Sequence, residues 1–140
     1  MKLFVVDTSV AVKWFSREDG AESALAVRKA AFEGRCRLEA PDLLLYELAN
    51  ALRFNPNFDG RDVKLAVRSV EDMGIVLHAA QGGLLSRAID LAYRYRITAY
   101  DGCFLALSVI LGTPLVTADA KLIERAGNDQ ALVDLKAFSI

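Results

Sequence analysis

The sequence predicts a single α/β domain, residues 1–140, organised around a mainly parallel sheet of about five strands. Three observations lead there. Short β-branched or aromatic runs alternate with stretches of helical apolar periodicity along the whole chain. No Pro/Gly/Ser-rich linker, internal repeat or low-complexity tract divides the 140 residues. Hydrophobic residues make up 54% of the chain, enough for one core without a zinc or disulfide staple.

Each element has its own signal. Leu3–Val6 is a continuous buried-type strand stopped by Asp7. Ser9–Phe15 reads as a short helix. A helix over Gly20–Phe32 puts Ala21, Ala24, Leu25, Ala31 and Phe32 on one side and ends at Gly34. Arg37–Ala40 is a weak strand, and Pro41-Asp42 opens a helix running to about Arg53. Phe54–Phe58 is a loop by composition. Asp59–Asp62 then caps a helix with the stripe Val63, Ala66, Val67 and Val70. Ile75–Leu77 is a strand. Gly82-Gly83 precedes a helix carrying Leu84, Leu85, Ala88, Ile89, Ala92 and Tyr95 at helical spacing. Asp101–Leu111 is helix, Pro114–Thr117 strand, Asp119–Ala126 helix and Leu132–Leu135 the last strand.

Composition excludes several chemistries. Lys+Arg is 17 and Asp+Glu is 18, so no global positive field draws in nucleic acid. His78 is the sole histidine, which removes HExxH zinc sites and multi-histidine clusters. Cys36 and Cys103 form no CxxC and sit in apolar surroundings, as reduced core thiols of a cytoplasmic protein do. The run before Asp7 is too short for a signal-peptide core. Gly112-Thr113-Pro114 breaks the longest uncharged stretch, so no membrane association is expected.

The chemistry lies in the acids. In open α/β sheets, sites form outside the carboxyl ends of the strands. Two buried strands finish in an aspartate, at Val5-Val6-Asp7-Thr8-Ser9 and Leu115-Val116-Thr117-Ala118-Asp119. Each aspartate stands where a helix begins and also fits a plain N-cap. Glu47 shares a helical stripe with Leu44, Leu48 and Ala51, which aims a carboxylate at apolar surroundings; Asn50 faces a similar way. Asp101 opens the most apolar helix, again at a cap-like position. Two carboxylates ~5 Å apart at an effective dielectric of ~20 repel by roughly 3 kcal/mol, so such a group calls for a cation. Oxygen ligands without His or Cys favour Mg²⁺ or Mn²⁺, ions that clamp phosphates and activate water. The chemistry inferred is phosphoester hydrolysis.

Taken together, Val5-Val6-Asp7-Thr8-Ser9, Glu47 with Asn50, Thr98-Ala99-Tyr100-Asp101 before an alanine/leucine helix, and Thr117-Ala118-Asp119 before Leu122 resemble the PIN domain. More narrowly, they resemble the toxin ribonucleases of VapBC-type toxin–antitoxin pairs. The resemblance implies a three-layer α/β/α sandwich and a Mg²⁺/Mn²⁺-dependent endoribonuclease acting on single-stranded or structured RNA. It implies metal binding by Asp7, Glu47, Asp101 and Asp119, with Ser9, Asn50 and Thr117 in support. It also implies a homodimer held by an antitoxin in the cell. Gly102 stands where the family more often has Ala, and is expected to loosen the first turn of its helix.

Bland readings stand beside these. Tyr93-Arg94-Tyr95-Arg96 interleaves aromatic and basic groups as an RNA surface does, yet Tyr95 also fits the core stripe. Trp14 and Phe15 either line a groove or pack, and Val12 and Trp14 are candidates for partner contact. His78 is expected to be structural. A metal-dependent phosphatase is a second enzyme reading, but Ser9 takes the place of the second acid in an Asp-x-Asp start. A catalytically inactive RNA- or protein-binding module is the reading from another class, and clustered acids argue against it.

Overall fold

The computed structural model describes all of residues 1–140. Five strands, β1 (Lys2–Val6), β2 (Cys36–Pro41), β3 (Val76–His78), β4 (Leu115–Thr117) and β5 (Leu132–Asp134), form one parallel sheet in the order β3-β2-β1-β4-β5. Seven α-helices connect them: α1 (Thr8–Ala11), α2 (Ala21–Phe32), α3 (Leu43–Arg53), α4 (Gly60–Asp72), α5 (Leu84–Tyr95), α6 (Ala99–Leu111) and α7 (Ala120–Ala126). With the right-handed crossovers that parallel strands almost always use, α1–α4 cover one face and α5–α7 the other. Strand β1 is therefore central and covered on both sides, which is why Phe4, Val5 and Val6 are all buried without alternation.

The connection leaving β1 moves towards β2, whereas the one leaving β4 moves towards β5. Adjacent strands whose connections diverge leave a crevice at their carboxyl ends. Asp7 and Asp119 follow those two strands.

Local chemistry holds the frame together. Thr113 donates its hydroxyl to the Leu3 carbonyl, and Ser108 donates to the Thr113 carbonyl at 2.5 Å, tying the end of α6 to β1. Trp14, in a 3₁₀ turn over Val12–Trp14, is buried and donates its indole N–H to the Ala24 carbonyl at 2.8 Å. It is a packing residue that fixes α2. His78 likewise binds inward: its Nε2 lies 2.7 Å from Glu39, a buried carboxylate that also accepts from Arg37 at 3.1 Å. Cys36 and Cys103 are buried free thiols.

Several sequence expectations need correction. Pro41 closes β2, and α3 starts at Leu43 rather than at a proline N1 position. On α2 the buried residues are Ala24, Val27 and Ala30, while Leu25 and Phe32 are exposed. In so alanine-rich a segment the large side chains do not mark the inner face, because small residues let α2 approach the sheet. On α5, Leu85 and Ile89 face outward beside a core of Leu84, Ala88, Leu91 and Tyr95. Helix α6 begins at Ala99 with Thr98 as its cap, whose hydroxyl accepts from the Asp101 N–H at 3.0 Å; Asp101 is inside the first turn and caps nothing. Gly102 serves packing: a Cβ there would run into the Ala88 carbonyl oxygen, so its absence lets α6 lie close against α5. No helix is long and apolar enough to cross a membrane.

Candidate metal centre

Asp7 leaves the end of β1 with extended backbone, and its side chain makes no capping bond. Its two oxygens are taken by hydroxyls instead. Ser9 donates to Oδ1 and Thr117 to Oδ2, each at 2.5 Å. Those hydroxyls in turn accept backbone N–H groups of the turn after β4: Ala118 N–H to Ser9 at 2.8 Å and Asp119 N–H to Thr117 at 3.1 Å. Each hydroxyl has one proton and spends it on Asp7. The β4–α7 turn is thereby relayed onto a single buried carboxylate.

Asp7, Glu47, Asp101 and Asp119 all line one cavity of about 290 Å³ over the carboxyl ends of β1 and β4, together with Thr8, Ser9, Asn50, Ala51 and Phe104. Thr117 lies just beneath, fully buried, and touches the cavity lining through Asp7, Ser9 and the Asp119 N–H. Glu47 enters from α3 and Asp101 from α6. Thr8 donates to Glu47 Oε1 at 2.6 Å and steers that carboxylate. Thr8 was not among the expected site residues; its contact with Glu47, 39 positions away, brings it into the site. Asp119 does cap α7, accepting from Lys121 N–H at 3.0 Å and Leu122 N–H at 3.1 Å through Oδ1.

None of the four carboxylates has a Lys, Arg or His partner among the chain's six ion pairs. The acidity of Asp7, Glu47 and Asp101 records the cost. Burial pushes Asp7 up from an ordinary 3.8 to about 6, against the pull of the Ser9 and Thr117 hydroxyls; the charge of Asp101 adds to the rise. Burial also raises Glu47, with Asp101 contributing, and raises Asp101, with Asp119 contributing. The Cys103 thiol, pushed up by burial, feels Glu47 as well. The acids face one another across the cavity without closing up: no three His, Cys, Asp or Glu side chains form a ready-made cation cage. A larger cavity, about 650 Å³, lies between α2 and α4 away from the acids.

A doubly wound sheet with uncompensated acids at its switch point is the setting in which similarity to known proteins falls. The sequence model of the PIN domain matches residues 4–128, and the chain belongs to that family. Solved structures agree on the fold. VapC20 from Mycobacterium tuberculosis, described as a sarcin–ricin loop cleaving toxin, superposes with a TM-score of 0.71 over 91% of this chain and 95% of its own, at 13% identity. PAE2754 from Pyrobaculum aerophilum gives 0.68 over 96% and 90%, at 19% identity. VapBC2 from Rickettsia felis, solved on a DNA fragment from its promoter, gives 0.66 over 94% and 97%, at 13% identity. No curated protein matches significantly in sequence.

Proposed function

We propose that this chain is a Mg²⁺- or Mn²⁺-dependent endoribonuclease, cutting single-stranded or structured RNA, and the toxin of a VapBC-type toxin–antitoxin pair. The single observation that carries the reading is the set of four carboxylates on one cavity without any cationic side chain. Oxygen donors of this kind suit a hard divalent ion and suit zinc poorly. Asp7, Glu47, Asp101 and Asp119 are the residues that would hold it. Bound there, the ion would lower the pKa of a water so that it gives up a proton and becomes a nucleophile for phosphorus, and would offset charge on the phosphate.

The chain's own groups divide the remaining work. Ser9 and Thr117 fix the orientation of Asp7, and Thr8 fixes that of Glu47. Asp119 is held by the first turn of α7, so its free oxygen points in a set direction. Asn50 lines the cavity beside Glu47 and offers an amide to substrate or water. The named toxins among the fold neighbours support the RNA substrate and the antitoxin partner. Exposed Phe32, Leu65 and Tyr93 leave apolar surface for protein contacts, consistent with a cytoplasmic homodimer and with an antitoxin segment that occludes the acids.

The test is cleavage of a single-stranded RNA with Mg²⁺, with Mn²⁺ and with EDTA. Cutting that needs the ion is expected. Equal cutting in EDTA rejects the dependence on the ion; no cutting under any condition while the fold is intact rejects the nuclease. Light scattering at high micromolar concentration tests the dimer, and a monodisperse monomer rejects it.

A further inference from the structure

A second cavity, about 310 Å³, adjoins the acidic one and shares Asp101 and Asp119 with it. Its remaining walls are Arg96, Ile97, Thr98, Lys121, Leu122 and Arg125. Three cations thus gather next to the four acids in a chain whose net charge is only −1. None of the three has a carboxylate partner; the neighbouring Arg94 is the one tied up, 3.6 Å from Asp129. Arg96 is also the only non-glycine residue with a left-handed backbone, φ 57°, at the end of α5. Arg125 donates to the Arg96 carbonyl and holds that conformation across to α7. Strain of this sort is kept where the surroundings enforce it.

We propose that Arg96, Lys121 and Arg125 form a subsite for a backbone phosphate of the RNA strand, next to the phosphate that is cut at the acids. The proposal rests on the nuclease reading for which strand it serves, and on the cavity for its existence. A strand of like charge to the acids needs a cationic foothold beside them, and this is where cations without a carboxylate partner and space coincide. The subsite recognises phosphate and no base, so it sets the path of the strand and leaves sequence to other contacts. It also sorts the Tyr93–Arg96 motif: Tyr95 is buried and accepts from Gln130 at 2.9 Å, Arg94 pairs with Asp129, and Arg96 alone lines the cavity.

Binding of a fluorescent single-stranded oligoribonucleotide is measured with Mg²⁺ in an Asp7→Asn background, in which no strand should be cut. The variants are Lys121→Ala with Arg96→Gly, glycine being at ease at a positive φ, and the exposed Lys64→Ala as control. The double variant should bind about tenfold weaker or worse, with a salt slope shallower by roughly 0.7 for each phosphate no longer neutralised. Lys64→Ala should match its parent. Equal binding by the double variant and the control overturns the subsite, as does failure of the parent to bind at low salt. Cleavage by the wild-type chain, run in parallel, judges the nuclease separately. An inactive wild type whose parent variant still loses RNA with Lys121→Ala/Arg96→Gly supports the subsite and rejects only the nuclease.

Discussion

Thr117 on β4 donates its hydroxyl to Oδ2 of Asp7 on β1 at 2.5 Å, and the same hydroxyl oxygen accepts the Asp119 N–H at 3.1 Å. One fully buried threonine thus fixes the geometry of two acids from different strands. Thr117→Val keeps the shape and removes both bonds. It should destabilise the chain by about 1–3 kcal/mol in denaturant unfolding, since it leaves the half-buried Asp119 N–H and a buried Asp7 oxygen without their partner. Thr117→Ser should recover most of the loss.

Asp7 gives a pH signature. Its carboxyl ionises near pH 6 in the folded chain and near 3.8 when unfolded. The folded state holds the proton more tightly, so this group favours folding fully below about pH 4. That contribution is lost as pH rises through about 6. Comparing wild type with Asp7→Asn isolates it. Without metal, the variant should be more stable at pH 7, by up to the order of 3 kcal/mol, and close to equal at pH 4. An asparagine fits because its oxygen accepts one hydroxyl while its amide donates to the other. Thermal melts across this range check both sign and window.

Two of the acids separate cap from cavity roles. Asp119 bonds two backbone N–H groups of α7, so Asp119→Ala should cost about 1 kcal/mol in the absence of metal. Asp101→Asn should leave the metal-free chain as stable as wild type or more so, because Thr98 is the cap of α6. Thr98→Ala should show the cap cost instead. Chemical denaturation of the three variants in EDTA decides the order.

Gly102→Ala should destabilise, by about 1–3 kcal/mol, even though alanine is the better helix former. The added methyl would push α6 away from the Ala88 carbonyl on α5. A variant that unfolds later than wild type would show that the two helices are not held at this distance.

Glu39 and His78 are coupled at 2.7 Å across β2 and β3. Removing His78 leaves a buried carboxylate with Arg37 alone. A double-mutant cycle with Glu39→Gln and His78→Ala should give a coupling of about 1 kcal/mol or more. Additive losses would place His78 outside the stabilising network.

How much of this was legible in the sequence follows from what each signal measures. Strands ending in Asp7 and Asp119 could be read because apolar runs stop abruptly there, and the parallel order follows from their alternation with helices. The stripe holding Glu47 could be read because Leu44 and Leu48 fix the inward face of α3. The face of α2 could not, since alanines bury and Leu25 and Phe32 do not. Asp101 looked like a cap because the competing cap, Thr98, sits three residues earlier with the same preference. Thr8, Lys121 and Arg125 carry no periodicity, so only three-dimensional proximity reveals them.

If Asp7, Glu47, Asp101 and Asp119 act as one site that demands a divalent ion, the metal must stabilise the native fold through all four. Melting temperature against Mn²⁺ concentration, for wild type and Asp101→Asn, tests it most directly. Wild type should melt at rising temperature as Mn²⁺ increases, by mass action on the native state, and Asp101→Asn should show little or no rise. A wild-type melting temperature indifferent to Mn²⁺, or a full response in Asp101→Asn, would show that the four acids do not hold a divalent ion together.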